Sequence, residues 1–143
     1  MKHRLLLLCT GNSCRSQMAE AWARHLWPDL FEVFSAGIEA HGLNPHAVAV
    51  MAEKGLDMTG HRSKTLADLP TRDFDFVVTV CGHADEACPI FPAKTRKIHH
   101  GFDDPPRLAK EAKTPEEALA HYRRVRDEIA AFVRRLPSDL GLS

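Results

Sequence analysis

The sequence predicts an α/β fold in which a parallel sheet carries helices on both faces, and two observations predict it. Short apolar runs, of which Leu5–Leu8 is the first, have the continuous hydrophobicity of strands buried in a parallel sheet. These runs alternate with segments of helical periodicity, the pattern of right-handed crossover units. Functional groups in such folds gather outside the carboxyl ends of the strands. The residues that follow each strand are therefore the candidates for a site.

The elements follow from apolar spacing, glycine, proline and capping signals. We predict strands over residues 3–8, 31–35, 74–80 and 95–99. We predict helices over residues 16–27, 45–54, a short stretch within 65–69, and 115 to about 135. The last helix has Thr114 as its N-cap and Pro115 at its first position, followed by acidic residues. Residues 81–93 hold two cysteines and two prolines and are predicted to be irregular or weakly helical.

Composition limits the classes of partner. A chain of 143 residues suffices for one core, so we expect a single domain over residues 1–143. Lysine plus arginine equals aspartate plus glutamate at 19 each, which argues against nucleic acid and membrane surfaces as partners. The apolar run near the N-terminus is too short for a membrane span and lacks a signal-peptide cleavage pattern. We expect a soluble, cytoplasmic monomer.

Four cysteines, Cys9, Cys14, Cys81 and Cys88, raise the question of disulfides, zinc or reactive thiols. Permanent disulfides are unusual in a cytosolic α/β protein. The spacings are not the paired C-x2-C spacing of a zinc ribbon. Redox or nucleophilic chemistry is the stronger interpretation.

The run from Cys9 to Ser16 has the residue types of an oxyanion cradle with a nucleophile at its base. Backbone N–H groups of a loop between a strand and a helix converge on a tetrahedral anion, and the helix dipole assists them. Arg15 adds a planar fork of donors, and Cys9 lies where that positive field favours the thiolate. The predicted oxyanion-binding loop consists of Thr10, Gly11, Asn12, Ser13, Cys14 and Arg15.

Each residue of this loop also has a plainer interpretation. Cys9 alone is equally a small buried hydrophobe at the end of a strand. Ser16 donates to the Cys9 sulfur in one interpretation and caps the helix in the other. Arg15 alone suits a surface ion pair. The combination with Gly11 and Asn12, which tolerate left-handed backbone, favours the anion site.

The spacing Cys9-x5-Arg15-Ser16, with Asp104-Pro105 in a later loop, resembles the low-molecular-weight tyrosine phosphatase family. Within it, the longer run from Cys9 to Glu20 resembles the arsenate reductases that thioredoxin recycles. The resemblance covers most of the chain, because further matching runs lie at Ser35-Ala36-Gly37, Val78-Thr79-Val80-Cys81, Cys88-Pro89 and Gly101-Phe102-Asp103-Asp104-Pro105.

The resemblance implies a three-layer fold with a four-stranded parallel sheet in the order 2-1-3-4. It implies Cys9 as the nucleophile, Arg15 as the oxyanion ligand and Asp104 as the general acid. Asp104 rather than Asp103 is assigned because it directly precedes the proline.

A phosphatase and an arsenate reductase share thiolate attack on an oxyanion and differ in the next step. The resemblance to the reductases implies that Cys81 attacks the Cys9 sulfur and expels arsenite, and that Cys88 then takes over the disulfide for thioredoxin. If the segment between Cys81 and Cys88 is helical, the two are about 10.5 Å apart in rise. That distance exceeds disulfide reach, so the loop over residues 81–93 must unwind on oxidation. Both cysteines are inert packing residues in the plainer interpretation.

Two absences favour the reductase over the phosphatase. Phosphatases of this fold usually place aromatic residues after the Asp-Pro pair, whereas this chain has Pro106-Arg107 and its one tyrosine, Tyr122, lies far along. Gln17 stands where the phosphatases commonly carry proline. A phosphatase remains the alternative enzyme, and weak phosphatase activity is expected to survive. A sensor that binds an oxyanion or a metal, with zinc on Cys81, Cys88 and a histidine, is the alternative without turnover.

The residues Asn12, Glu20 and Ser35 match positions that surround an alkali-metal ion in some relatives. Where those relatives carry an acidic residue, this chain has Lys64. We therefore predict a Glu20–Lys64 contact in place of an ion, no metal and no bound cofactor. Cys14 is expected to be structural, with off-pathway oxidation as the alternative.

Overall fold

A parallel four-stranded sheet organises the molecule. The computed structural model describes residues 2–82, 91–92 and 94–142. The strand order is β2-β1-β3-β4, and all three pairings are parallel, which confirms the predicted fold class. The strands are β1 (His3–Cys9), β2 (Phe31–Gly37), β3 (Phe76–Thr79) and β4 (Arg96–His99).

Among the described residues, four α-helices connect or follow these strands. They are α1 (Arg15–Leu26), α2 (Pro45–Ala52), α3 (Pro105–Ala109) and α4 (Pro115–Asp139), with a 3₁₀ turn at Leu66–Asp68. Both α1 and α2 pack against α4, and α1 also lies on β1 and β2. Within the described ranges, no helix has the length and apolarity needed to cross a membrane.

The core is centred on β1. Leu5, Leu6, Leu7 and Leu8 are all 0% exposed, because the strand lies in the middle of the sheet and is covered on both faces. A fully buried leucine side chain contributes about 1.5–3 kcal/mol through the area it removes from water. This rigid strand ends at Cys9 and fixes the start of the following loop.

The structure corrects several predicted boundaries. Strand β3 is shorter than the predicted 74–80, and the helix α3 was not predicted because the Asp-Pro-Pro sequence was interpreted only as a loop. Helix α4 runs beyond residue 135 and contains Pro137, which has no N–H for the carbonyl of Val133. That carbonyl instead accepts from Trp27 Nε1 at 2.8 Å. The helix therefore tolerates the proline because the side chain of Trp27 replaces the lost donor.

Candidate active site

A cavity of about 250 Å³ opens at the carboxyl end of β1. It lies between the β1–α1 loop, which we call the anion loop (residues 9–15), and the start of α3. Its lining residues are Cys9, Thr10, Gly11, Ser13, Cys14, Arg15, His41, Asp104 and Pro106. The fold thus brings the nucleophile, the arginine and the acid predicted from the sequence to one cavity.

Cys9 lies at the base of this cavity and contacts the hydroxyl of Ser16. Cys9 is 3% exposed, and its Sγ atom lies 2.9 Å from Ser16 Oγ. Ser16 Oγ also accepts from Asn12 Nδ2 at 2.8 Å, so its own proton is available for the sulfur. The cap residue of α1 is Cys14, so Ser16 does not occupy the capping position. The hydroxyl of Ser16 is therefore arranged to stabilise a thiolate at Cys9.

Asn12 shapes the anion loop from beneath. It has a positive φ of 48°, a left-handed conformation that asparagine tolerates better than most residues. Its side chain is 0% exposed and fully bonded, with Nδ2 donating to Ser16 and Ser35 and Oδ1 accepting from Gln17 Nε2 and the Lys64 amide. A residue without this amide would leave several buried groups unpaired.

A strap formed by residues 38–44 holds the outer side of the anion loop. Backbone N–H groups of the strap donate to carbonyl oxygens of the loop at 2.9–3.1 Å: Ile38 to Cys9, Glu39 to Thr10, His41 to Gly11 and Asn44 to Ser13. The carbonyl of Asn12 accepts from Gln17 Nε2 at 3.2 Å. Since the carbonyls of residues 9–13 are bonded outward, the loop is fixed as an anion-binding nest before any ligand arrives.

Arg15 begins α1 and borders the cavity from the other side. Its Nη1 donates to the carbonyl of Phe102 at 3.0 Å, and its Nη2 lies 3.7 Å from Asp104 Oδ1. Its side chain is 13% exposed. The guanidinium is thus anchored by the loop that carries Asp104, which leaves its remaining donors to meet an oxyanion.

The two neighbouring aspartates have different surroundings. Asp104 lines the cavity and stands at the N-cap position of α3, yet its side chain makes no capping hydrogen bond. Asp103 is not among the lining residues and pairs with Arg124 at 3.1 Å. Asp104 therefore faces the same cavity as Cys9, and its role as general acid remains a prediction.

Cys81 reaches the anion loop from β3. Strand β3 pairs with β1 through Leu8 and Thr79, and the Val80 amide continues the pairing by donating to the Leu8 carbonyl at 2.9 Å. The Cys81 residue is 4% exposed, and its Sγ lies 3.1 Å from Thr10 Oγ1. Cys88, and most of the predicted redox loop over residues 81–93, lie outside the described residues.

Cys14 is a second cysteine of the anion loop and is 5% exposed. Burial strongly raises the pKa of the Cys14 thiol, an effect that the nearby Arg15 charge only partly opposes. Its thiol is therefore held protonated, as expected of a structural residue.

An ionic group lies beneath the loop at Glu20. The structure shows the Glu20–Lys64 contact, with Lys64 Nζ 3.7 Å from Glu20 Oε1, and Arg24 Nε donates to the other carboxylate oxygen at 2.9 Å. Ser35 also bonds to Glu20, and Lys64 Nζ lies 3.3 Å from Ser35 Oγ. Two cations, Lys64 and Arg24, thus flank the Glu20 carboxylate.

We expect the Tm of this protein to be the same in KCl and NaCl at equal ionic strength. The ammonium of Lys64 already occupies the neighbourhood of Glu20, so potassium gains no specific binding energy there. The variant Lys64→Asp should acquire a potassium-specific rise in Tm, measured by thermal unfolding in both salts. A potassium-specific rise in the unsubstituted protein would contradict this account.

His61 supports the loop through Gln17 and gives stability a pH dependence. Its Nδ1 lies 2.9 Å from Gln17 Oε1, and burial lowers the pKa of His61 from its ordinary 6.5 although Glu20 opposes the shift. The unfolded chain therefore binds a proton that the folded protein resists, so the free energy of unfolding falls as the pH drops below about 6.5. We expect the free energy of unfolding, measured with urea, to fall more between pH 7.5 and pH 5.5 in the unsubstituted protein than in His61→Asn. An equal loss in the two proteins would rule out this role.

Metal ligation finds no support in the part of the chain that the structure describes. Those residues contain no group of three or more histidine, cysteine or acidic side chains placed to hold a metal ion. The zinc alternative depends on Cys88, which lies outside the described residues.

Three contributions to the site were missed by the sequence analysis. The strap acts through backbone N–H groups, which every residue except proline carries, so no side-chain pattern signals it. Phe102 likewise contributes its carbonyl. His41 lies in the cavity wall. The sequence signals it only through the glycine at position 11, and the link between the two residues is recognisable only once the fold is known.

Comparison with known proteins places this geometry in a family. The model of the low-molecular-weight phosphotyrosine protein phosphatases matches residues 4–141. The chain belongs to this family. An arsenate reductase of Halalkalibacterium halodurans is 49% identical over 133 residues, covering 93% of this chain and 94% of that protein. An arsenate reductase of Bacillus subtilis is 48% identical over 130 residues, covering 90% and 91%.

The solved structures of similar fold include proteins named as arsenate reductases and a protein named as a phosphatase. An arsenate reductase in the oxidised state has a TM-score of 0.78 at 28% identity, covering 98% of this chain and 99% of that one. An arginine phosphatase from Geobacillus stearothermophilus has a TM-score of 0.74 at 31% identity, covering 97% and 93%. A thioredoxin-dependent arsenate reductase from Corynebacterium glutamicum has a TM-score of 0.73 at 25% identity, covering 99% of this chain and 63% of that one.

Proposed function

We propose that this protein reduces arsenate to arsenite through Cys9, Cys81 and Cys88, with thioredoxin as the external reductant in the cytoplasm. The observation that carries the proposal is the position of a second thiol at the anion loop: Cys81 Sγ lies 3.1 Å from Thr10 Oγ1. A hydrolytic phosphatase has no use for a thiol at this place. The curated relatives at 48–49% identity, which are named arsenate reductases, support the same activity.

The first step joins Cys9 to arsenic. Arsenate binds between the amides of the anion loop and the guanidinium of Arg15, which offset its negative charge. The thiolate of Cys9 forms the S–As bond, and one arsenate oxygen departs with a proton from Asp104. The hydroxyl of Ser16, 2.9 Å from the sulfur, stabilises the thiolate before the attack.

The second step transfers the electrons. The thiolate of Cys81 attacks the Cys9 sulfur, so that an S–S bond forms and the S–As bond breaks. The electron pair of the broken bond stays on arsenic, which is reduced from the pentavalent to the trivalent state and leaves as arsenite. Continued regularly, the β1–β3 register of Leu8 with Thr79 puts the Cα atoms of Cys9 and Cys81 about 6 Å apart but their side chains on opposite faces, so the chain after β3 must turn for the two sulfurs to meet. Disulfide-linked Cα atoms lie about 4.4–6.8 Å apart.

The third step regenerates Cys9. The thiolate of Cys88 attacks the Cys81 sulfur and releases the Cys9 thiolate for the next arsenate. The dithiol of thioredoxin then reduces the Cys81–Cys88 disulfide. The name of the relative from Corynebacterium glutamicum supports thioredoxin as the reductant.

A phosphatase is the second candidate, since Cys9, Arg15 and Asp104 form a complete phosphatase constellation around the cavity. The structural similarity to an arginine phosphatase favours it. The residues lining the described cavity include no phenylalanine, tyrosine or tryptophan that would hold a tyrosine ring. We therefore expect weak hydrolysis of phosphate esters beside the reductase activity.

One coupled assay separates these functions. The purified protein is incubated with arsenate, thioredoxin, thioredoxin reductase and NADPH, and the loss of NADPH is compared with the arsenite formed. We expect equal amounts of NADPH consumed and arsenite formed, and none with Cys9→Ser. Hydrolysis of p-nitrophenyl phosphate without arsenate-dependent NADPH loss would establish the phosphatase instead. Oxyanion binding without either reaction would indicate a sensor.

A further inference from the structure

His41 forms one wall of the cavity although no step of the proposed chemistry uses it. It lies in the strap and lines the cavity together with residues of the anion loop and of α3. Its backbone N–H donates to the Gly11 carbonyl at 2.9 Å, so the residue is bonded to the anion loop itself. The backbone of His41 is therefore fixed to the anion loop, and its imidazole, with the side chain 51% exposed, stands at the edge of the pocket.

The ring of His41 occupies the space where residue 11 would carry a side chain. A Cβ atom placed on Gly11 would overlap Nδ1 of His41 and lie 2.6 Å from its Cγ. Gly11 does not have a positive φ. The glycine at this position is therefore explained by steric contact with His41 and not by its backbone conformation. His41 thus supplies the side chain that the loop lacks at this position.

Glu39 fixes the orientation of this ring. Its Oε2 lies 2.6 Å from His41 Nε2, which makes Nε2 the protonated nitrogen of the pair. An exposed ion pair of this kind contributes little to stability. However, the Glu39 amide is also bonded to the anion loop, at the Thr10 carbonyl. Both partners therefore move with the loop, and the pair keeps the ring against Gly11.

We propose that His41, oriented by Glu39, determines specificity by restricting the pocket to small tetrahedral oxyanions. The ring closes the side of the pocket next to Gly11 and thereby narrows the space that is left for the organic group of a phosphate ester. A free oxyanion fits between the loop amides, Arg15 and this wall. The inference rests on the proposed use of the pocket for arsenate, and it assigns the exclusion of esters to a residue outside the reacting groups.

Ligand protection of Cys9 tests this wall without requiring turnover. The rate at which iodoacetamide alkylates Cys9, located by mass spectrometry, is measured against increasing orthophosphate or phenyl phosphate, which gives a protection constant for each. We expect His41→Ala to shift the ratio of these constants about tenfold towards phenyl phosphate, as removal of a pocket group does. His46→Ala, an exposed histidine in α2 that does not line the cavity, should leave the ratio unchanged. A ratio altered less than about twofold in folded His41→Ala would overturn the proposal.

Substitution of Gly11 provides a second, independent test. Where His41 is present, Gly11→Ala should weaken the protection of Cys9 by orthophosphate, because the new methyl group collides with the imidazole ring. The His41→Ala background lacks the two nearest contacts, to Nδ1 and Cγ, and keeps the Cβ of residue 41 at 3.0 Å, so the same change should weaken protection less. An equal penalty in both backgrounds would show that the ring does not fill this space.

Failure of the proposed function is distinguishable from failure of this inference. If the coupled assay shows no arsenate reduction while the protection ratio shifts as described, the reductase proposal fails and the wall stands. If arsenate is reduced and the protection ratio does not shift, the reductase proposal stands and the role of His41 as a wall fails.

Discussion

Cys81→Ser is expected to abolish arsenate reduction while leaving oxyanion binding intact. Without a thiol at position 81, the Cys9–arsenate adduct has only water to react with, and hydrolysis returns arsenate without transfer of electrons. The serine hydroxyl is close in size to the thiol and can keep the contact with Thr10, so the loop should retain its shape. Arsenite formation in the coupled assay should fall by about 10³-fold or more, as expected when an essential reacting group is removed.

Protection of Cys9 by orthophosphate provides the control for this variant. The protection constant should match that of the unsubstituted protein, because the Cys81 side chain is absent from the cavity lining. Any phosphate ester hydrolysis should also persist. Sustained arsenite formation by Cys81→Ser with thioredoxin would show that the electrons reach arsenic by another route.

Arg15→Lys is expected to lower arsenate reduction by about 10²–10³-fold, the range found when one oxyanion-stabilising donor is lost. Lysine keeps the positive charge but cannot donate to the Phe102 carbonyl and to an oxyanion as a planar fork. The Phe102 carbonyl loses its donor, which lies at 3.0 Å, and the Asp104 carboxylate loses the neighbouring guanidinium. Steady-state kinetics should show the loss in kcat/KM. The free energy of unfolding should change by less than the activation free energy that this loss represents.

A matched control for Arg15→Lys is Arg24→Lys, on the same helix but directed to Glu20 beneath the loop. This arginine is 55% exposed in its side chain and is one of two cations at Glu20. We expect its replacement to reduce activity far less. A loss for Arg15→Lys that is as small as the loss for Arg24→Lys would mean that Arg15 acts only as a positive charge.

The sheet was predictable because its signals are local. The apolar run at residues 5–8 and the β-branched run that contains β3 predict buried strands. Their alternation with helical segments predicts parallel pairing. The boundaries were less predictable, since tertiary contacts decide them. Helix α4 passes Pro137 because Trp27, which lies more than a hundred residues earlier, replaces the missing donor.

The site was predictable where side-chain chemistry defines it and hidden where the backbone does. Cys9 and Arg15 were predicted from residue type and spacing and Asp104 from the family resemblance, and the fold brings all three to one cavity. The strap and the Phe102 carbonyl act through main-chain groups, which leave no mark in the sequence. The contribution of His41 depends on its packing against Gly11, a contact between distant parts of the chain that only the folded structure reveals.

The central claim is that the Cys9 adduct is resolved by a thiol and not by water. The most direct test is a single incubation of reduced Cys88→Ser with excess arsenate and thioredoxin, followed by measurement of arsenite and of the disulfides. We expect about one arsenite per protein molecule, because one Cys81 thiol resolves one adduct. The protein should be trapped with a Cys9–Cys81 bond, identified by peptide mass spectrometry. Steady multiple turnovers by this variant, without that trapped disulfide, would contradict the account.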